Sequence, residues 1–163
     1  MARQAARVIA FEPDPWTVER LRENVAHLSN VQVVNAAAGD RDDTVPLYRR
    51  VDFDADPALA SESSSLLGTK GNVDAENLVT VPLIDFVAYL TRLDTDIGVL
   101  KIDIEGSEVA LLERLLNDPV CDRIDHIFVE THERSLPELA ARTDALRQAA
   151  RFRTHPRIEM DWH

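Results

Sequence analysis

Acids and a histidine stand where three apolar runs of this chain end. Within residues 99–116, VLKIDIEGSEVALLERLL, the apolar Val99, Leu100, Ile102 and Ile104 lead into Asp103 and Glu105. Residues 8–11 lead to Glu12, and residues 127–129 lead to Glu130, Thr131, His132 and Glu133. Carboxylates and imidazoles can take a proton or accept a hydroxyl hydrogen bond, so each strand end is a place for acid–base or sugar-binding chemistry. An acid closing an all-apolar strand favours a functional reading for Asp103. For Glu105 two readings stand level: a proton acceptor, or a charge favoured at a helix N-terminus. His132 could act as a base or join Asp103 around a divalent cation, but a loop histidine is more often simply hydrogen-bonded, and no metal site is assigned. His27, His126, His155 and His163 show no ligand spacing.

The elements that must hold these groups alternate between strand and helix. Asp14 caps a helix with Pro15 at its first position, and Val18, Leu21, Val25 and Leu28 recur at helical spacing. Residues 31–34 read as a strand, residues 35–43 as a loop and residues 44–48 as a weaker strand. Residues 51–77 turn to Asp, Ser, Gly and Ala, which predicts a long loop or lid. A strand at 78–82 and a short helix carrying Ile84, Phe86, Val87 and Leu90 follow. After Gly106, Val109, Leu112, Leu115 and Leu116 mark a helix face, and Leu136, Leu139, Ala140, Thr143 and Leu146 or Arg147 mark another. Residues 152–162 read as extended. Such alternation predicts one α/β domain over 1–163 with a largely parallel sheet, its three acid-bearing strand ends along one edge, where open α/β sheets bind ligands.

Composition narrows the partners. The 163 residues are 45% hydrophobic and 29% charged, enough for a folded core, and the formal charge of −11 argues against nucleic acid. Cys121 is the single cysteine, which suits a reducing, cytoplasmic setting. No apolar run has the roughly 18 residues of a membrane span. Arg3 and Arg7 precede an apolar run too short for a signal sequence.

The segments VIAFEPDPWTVERLRENV, VQVVNAAAGD, SESSSLL, VTVPLIDFV, VLKIDIEGSEVALLERL and IFVETHE, in this order, resemble FkbM-type methyltransferases. The resemblance implies a class I Rossmann-like fold with helices on both faces of the sheet. It further implies S-adenosylmethionine as cofactor and transfer of its methyl group to a hydroxyl of a small molecule or sugar. Glu12 would hold the adenosine ribose, as carboxylates at that point of nucleoside-binding folds accept from ribose hydroxyls. Asn35, Ala37 and Asp40 would border the adenine, and Asp103 the methionine end. Among Asp103, Glu105 and His132 as general base, the first two are favoured because they fall closest to the expected methyl position. Lys101 reads as an ion-pair partner, and Ser63 to Ser65 either as lining of an acceptor pocket or as solvated backbone.

One family feature is missing. None of the five glycines, Gly39, Gly68, Gly71, Gly98 and Gly106, precedes the FEP segment, so the glycine-rich turn that approaches the cofactor is not found. The expectation is an N-terminally shortened member lacking the family's first strand, from a misplaced start, a gene fragment or a designed chain, with residues 157–163 entering an incomplete final strand. The two strands that would flank the missing one must then pair with each other, pair with a second chain in self-association, or stay frustrated. Two rival readings follow: a non-catalytic methyltransferase-like module that has lost its cofactor and, ranked well below, a nicotinamide-dependent oxidoreductase.

Overall fold

In the computed structural model, which describes residues 4–160 and 162, eight strands and five helices alternate along the chain. The strands are β1 (Val8–Phe11), β2 (Val31–Val34), β3 (Ala37–Gly39), β4 (Asp43–Arg50), β5 (Val73–Asp85), β6 (Ile97–Ile102), β7 (Ile124–Val129) and β8 (Arg157–Glu159). The helices are α1 (Pro15–Val25), α2 (Pro57–Ala60), α3 (Phe86–Arg92), α4 (Glu108–Leu115) and α5 (Ala140–Phe152).

The mixed α/β character is as expected, but the single sheet is not. Hydrogen bonding divides the strands into β1–β2, β3–β5–β4 and β6–β7–β8. The first and third are parallel, whereas β4 and β5 form an antiparallel hairpin from Asp43↔Leu83 to Arg50↔Val73. Among the described residues β1 pairs only with β2, and β6 only with β7, so each keeps one edge without a ladder. Burial follows from this division. No residue of β1 or β2 is fully buried, while Ile124, Ile127 and Val129 of β7 are completely enclosed.

The core sits between β7, the end of β6 and α4. Val109, Leu111, Leu112 and Leu115 occupy one face of α4 at most 1% exposed and pack with Ile102, Ile124, Ile127 and Leu136. Each such side chain contributes about 1.5–3 kcal/mol by leaving water, which fixes the helix against the strands and thereby the turn between β6 and α4.

Two segments differ from their sequence-based description. Residues 37–39, expected in a loop, form β3, because Ala37, Ala38 and Gly39 are small enough to lie close against β5. A Cβ on Gly39 would come within 2.4 Å of Leu83 Cδ1. The irregular stretch is also shorter than 51–77, since β5 begins at Val73, and it is tied inward, with Phe53, Ala60, Ser65 and Lys70 buried. Tyr48 and Ser65 form an antiparallel bridge that fastens it to β4. No described helix is long and apolar enough to cross a membrane.

Asp14 joins two of the sheets. As the cap of α1 it accepts from the Trp16 N–H (2.8 Å), and its Oδ2 accepts from Nε of Arg49 in β4 (2.8 Å), with only 2% of its side chain exposed. Removing one partner of a buried pair strands the other charge, so Asp14→Ala is expected to cost about 3–5 kcal/mol in urea unfolding. Asp14→Asn should recover the roughly 1 kcal/mol that belongs to the cap. A loss below about 1 kcal/mol for the alanine variant would show that this pair does not couple the sheets.

Candidate functional site

The turn leaving β6 is conformationally demanding. Glu105 has φ 55° and Gly106 φ 106°, two left-handed residues in succession. At the second only glycine fits, because a Cβ there would meet Leu136 Cδ1 at 2.3 Å and Leu67 Cδ1 at 2.8 Å. A glutamate in this region costs on the order of 1 kcal/mol or more and persists only where its surroundings over-determine it. Here they do. The Ser65 hydroxyl donates to the Glu105 carbonyl (2.6 Å), the Gly106 N–H donates to Glu108 Oε2 (2.7 Å), and the Lys70 ammonium holds the Glu105 carboxylate while also donating to the Ser63 carbonyl (3.1 Å).

The loop after β7 brings His132 to this turn. Glu108, 1% exposed at the start of α4, accepts from the His132 backbone N–H (3.0 Å) and lies 3.3 Å from Nδ1 of its ring. Both Glu108 oxygens act as acceptors, so Nδ1 carries a hydrogen and Nε2 is turned toward Glu105 Oε2 (3.2 Å) and Asp103 Oδ1 (4.0 Å). Burial opposes charge on this ring. The hydrogen bond to Glu108 and the charges of Glu108, Glu105 and Asp103 together outweigh it and hold the imidazole above its ordinary range.

Asp103 is in turn paired with Lys101 (3.0 Å), as its sequence position suggested, and the Lys101 ammonium lies 4.4 Å from the Trp162 ring centroid. One ligand atom each from Asp103, Glu105 and His132 falls within 4.8 Å of the others. Both carboxylates are already engaged by an ammonium group, however, so a divalent cation would have to compete with two lysines.

A second locus forms at the end of β1. Glu12 Oε1 accepts from the Asp14 N–H (2.8 Å), and Asn35 Nδ2 donates to the Glu12 and Pro13 carbonyls (3.0 and 2.9 Å). Burial pushes the Glu12 carboxyl up to about 7; the Asp14 N–H opposes this and the Asp14 charge adds to it. No cation pairs with Glu12 among the described residues. Of the other residues expected near a cofactor, Asp40 is paired with Arg41 (3.0 Å) and Gly39 and Asp40 line a cleft of about 280 Å³ that reaches Leu66, Gly106 and Ser107. Ala37 is 5% exposed inside β3 and packs with Leu47, Val81 and Leu83.

The two loci are joined by direct contacts. Asp14, two residues from Glu12, binds Arg49; the neighbouring Tyr48 bridges to Ser65; and Ser65 donates to Glu105. The structure therefore gathers Asp103, Glu105 and His132 into one cluster, sets Glu12 beside Asn35, and puts Asp40 on the cleft beside Gly106. Sequence reasoning missed Glu108, Lys70 and Ser65. Ser65, read as lining or solvated backbone, is 1% exposed and structural. Lysine usage held a signal: Lys70 and Lys101 are the chain's two lysines, and both meet site carboxylates.

The Methyltransferase FkbM domain family matches residues 2–154. Searches among curated proteins and among solved structures give no match. A match over nearly the whole chain means that this protein belongs to the FkbM methyltransferase domain family.

Proposed function

We propose that this protein is an S-adenosylmethionine-dependent methyltransferase of class I Rossmann-like type, acting on a hydroxyl of a small molecule or sugar. Beyond family membership, the observation that carries this reading is Glu12: a largely buried carboxyl at a strand end that, among the described residues, is held by a single backbone N–H and has no counter-ion. Such a group is incompletely satisfied by its own protein and fits a ligand that donates two hydroxyl hydrogen bonds, as a ribose does. Asn35 fixes the Glu12 turn through its two carbonyl contacts. Asp40, on the lining of the cleft, keeps a place beside the adenine, whereas Ala37 is enclosed in β3 and does not.

Bound cofactor supplies a methyl carbon made electrophilic by its sulfonium. The protein must then align the acceptor oxygen and remove its proton. His132 is the best equipped of the three candidates to do so. Its tautomer is set by Glu108, an arrangement in which a buried carboxylate orients a base, while Asp103 and Glu105 are occupied by lysines. Both carboxylates then act electrostatically, stabilising the imidazolium formed when Nε2 takes the hydroxyl proton.

Calorimetric titration with S-adenosylmethionine is expected to show saturable binding that Glu12→Gln weakens about tenfold or more, since a hydrogen bond to a charged acceptor contributes about 1.5–3 kcal/mol. A folded chain with no heat of binding would overturn the assignment. The pH dependence has a definite sign. Glu12 in the folded protein sits at about 7 against an ordinary 4.5, so it holds a proton between those values and its ionisation lowers stability as pH rises through that window. Ribose binding favours the ionised form. Affinity should therefore fall by about tenfold per pH unit below 7, and this dependence should vanish in Glu12→Gln.

His132→Gln is expected to slow methyl transfer about 100-fold or more while cofactor affinity stays the same. The readout is S-adenosylhomocysteine release across a panel of sugar and phenolic hydroxyl acceptors. Equal rates in the two proteins would remove His132 from the reaction.

A further inference from the structure

Lys70 belongs to no element of the expected machinery, yet it is 5% exposed, and burying an ammonium is costly without a partner. Its partner is the Glu105 carboxylate, through Oε2, the same oxygen that lies 3.2 Å from His132 Nε2. One carboxylate oxygen is thus shared by two cationic claimants. If Lys70 were absent, Glu105 would be a partly buried anion whose nearest cationic partner is the imidazole it already faces at 3.2 Å, and its full charge would bear on that ring.

We propose that Lys70 is a positioning residue for His132: by engaging the same Glu105 oxygen that the imidazole Nε2 faces, it offsets the charge of that carboxylate, so that the ring can stand neutral and take a proton from a substrate hydroxyl. The inference rests on the reading of His132 as proton acceptor. The segment that carries Lys70 is well placed for the task, because Ser65, five residues earlier, fastens the same stretch to the Glu105 carbonyl and to Tyr48. The 51–72 segment therefore determines whether the base is available.

The charged surroundings of His132 make the direction of the effect definite. From the β6–α4 turn it faces Asp103 and Glu105, and from α4 it faces Glu108. Lys70 reaches it from the 51–72 segment through Glu105, and Lys101 from β6 through Asp103. Its own segment carries Glu130, and Glu133, which Arg147 of α5 engages at 2.6 Å. Three carboxylates therefore surround the ring directly, and the two lysines are the nearest compensation. Removing one leaves the imidazolium more strongly favoured.

The test uses the full chain and titrates the His132 ring by ¹H–¹³C NMR without cofactor or acceptor, so that it reads positioning even where no methyl transfer is detected. In Lys70→Met the His132 midpoint should rise by about one pH unit, as expected for loss of a charge at partly buried range. The rising limb of the pH–rate profile for methyl transfer should move up with it. An unchanged midpoint in folded Lys70→Met would overturn the proposal. If that variant does not fold, Glu105→Gln supplies the complementary result: the carboxylate is gone while the ammonium remains, so the midpoint should fall below that of the wild type, and an unchanged value would again overturn the proposal. A midpoint that shifts as stated while the rate profile does not move would leave Lys70 acting on His132 but sink His132 as the base, which separates failure of the functional reading from failure of this one.

Discussion

The site depends on one short stretch of left-handed backbone, Glu105 followed by Gly106. Its reversal allows the chain to leave β6 and enter α4 within a few residues, so that Asp103, Glu105 and Glu108 come from three successive parts of one turn and still surround a single imidazole. Such a turn does not hold itself. Ser65 takes its carbonyl, Lys70 its carboxylate, and Glu108 the following N–H, three ties that reach it from two separate segments. The packing of α4 against β7 then sets where the turn sits, because Leu112 and Leu115 are fully enclosed on the face below it.

A longer consequence runs through the antiparallel hairpin. With β1–β2 and β6–β7–β8 hydrogen-bonded separately, backbone ladders do not fix the Glu12 locus relative to the His132 locus. Side chains and one bridge take over that role: Asp14 with Arg49, Tyr48 with Ser65, and Ser65 with Glu105. The β4 strand is thus a spacer between the two places where chemistry is proposed. Aromatic contacts reinforce its first joint, since the Arg49 guanidinium lies 4.2 Å from the Phe53 ring centroid and Phe53 meets Trp16 of α1 edge-on. Phe11 at the end of β1 adds a further anchor by packing edge-on against Phe86 and Tyr89 of α3.

Much of this was legible in the sequence, and the parts that were not share a cause. The helix at Asp14–Pro15, the apolar face of α4 and the strands β2, β6 and β7 follow from local signals of capping and period, which act over a few residues. The expected alignment of strand ends along one sheet edge holds for β6 and β7, which bring Asp103, Glu105 and His132 together, but not for β1, whose Glu12 belongs to a separate ladder. What escaped was non-local. β3 is three small residues whose only reason to be a strand is β5, more than forty positions on. The serine and lysine of 51–72 resemble solvated loop by composition, since nothing nearby reveals that a carbonyl and a carboxylate at Glu105 will need them. The division into three ladders was equally out of reach: alternation of strand and helix fixes the class of fold but not which edges meet.

Why a lysine and not an arginine stands against Glu105 can be argued from geometry. Sixteen of the chain's basic residues are arginines, and where they meet carboxylates at Asp52 and Glu113 they engage both oxygens in a fork. A planar guanidinium does this readily and holds the carboxylate in its own plane. At Glu105 such a grip would hold both oxygens, Oε2 that His132 faces among them, and fix the carboxylate in the plane of the guanidinium. An ammonium is a point charge: Lys70 meets Oε2 without imposing a plane, donates also to the Ser63 carbonyl, and shares that oxygen with His132. The choice of residue type is therefore itself part of the site, because it decides whether the carboxylate is consumed by its counter-ion or shared with the base.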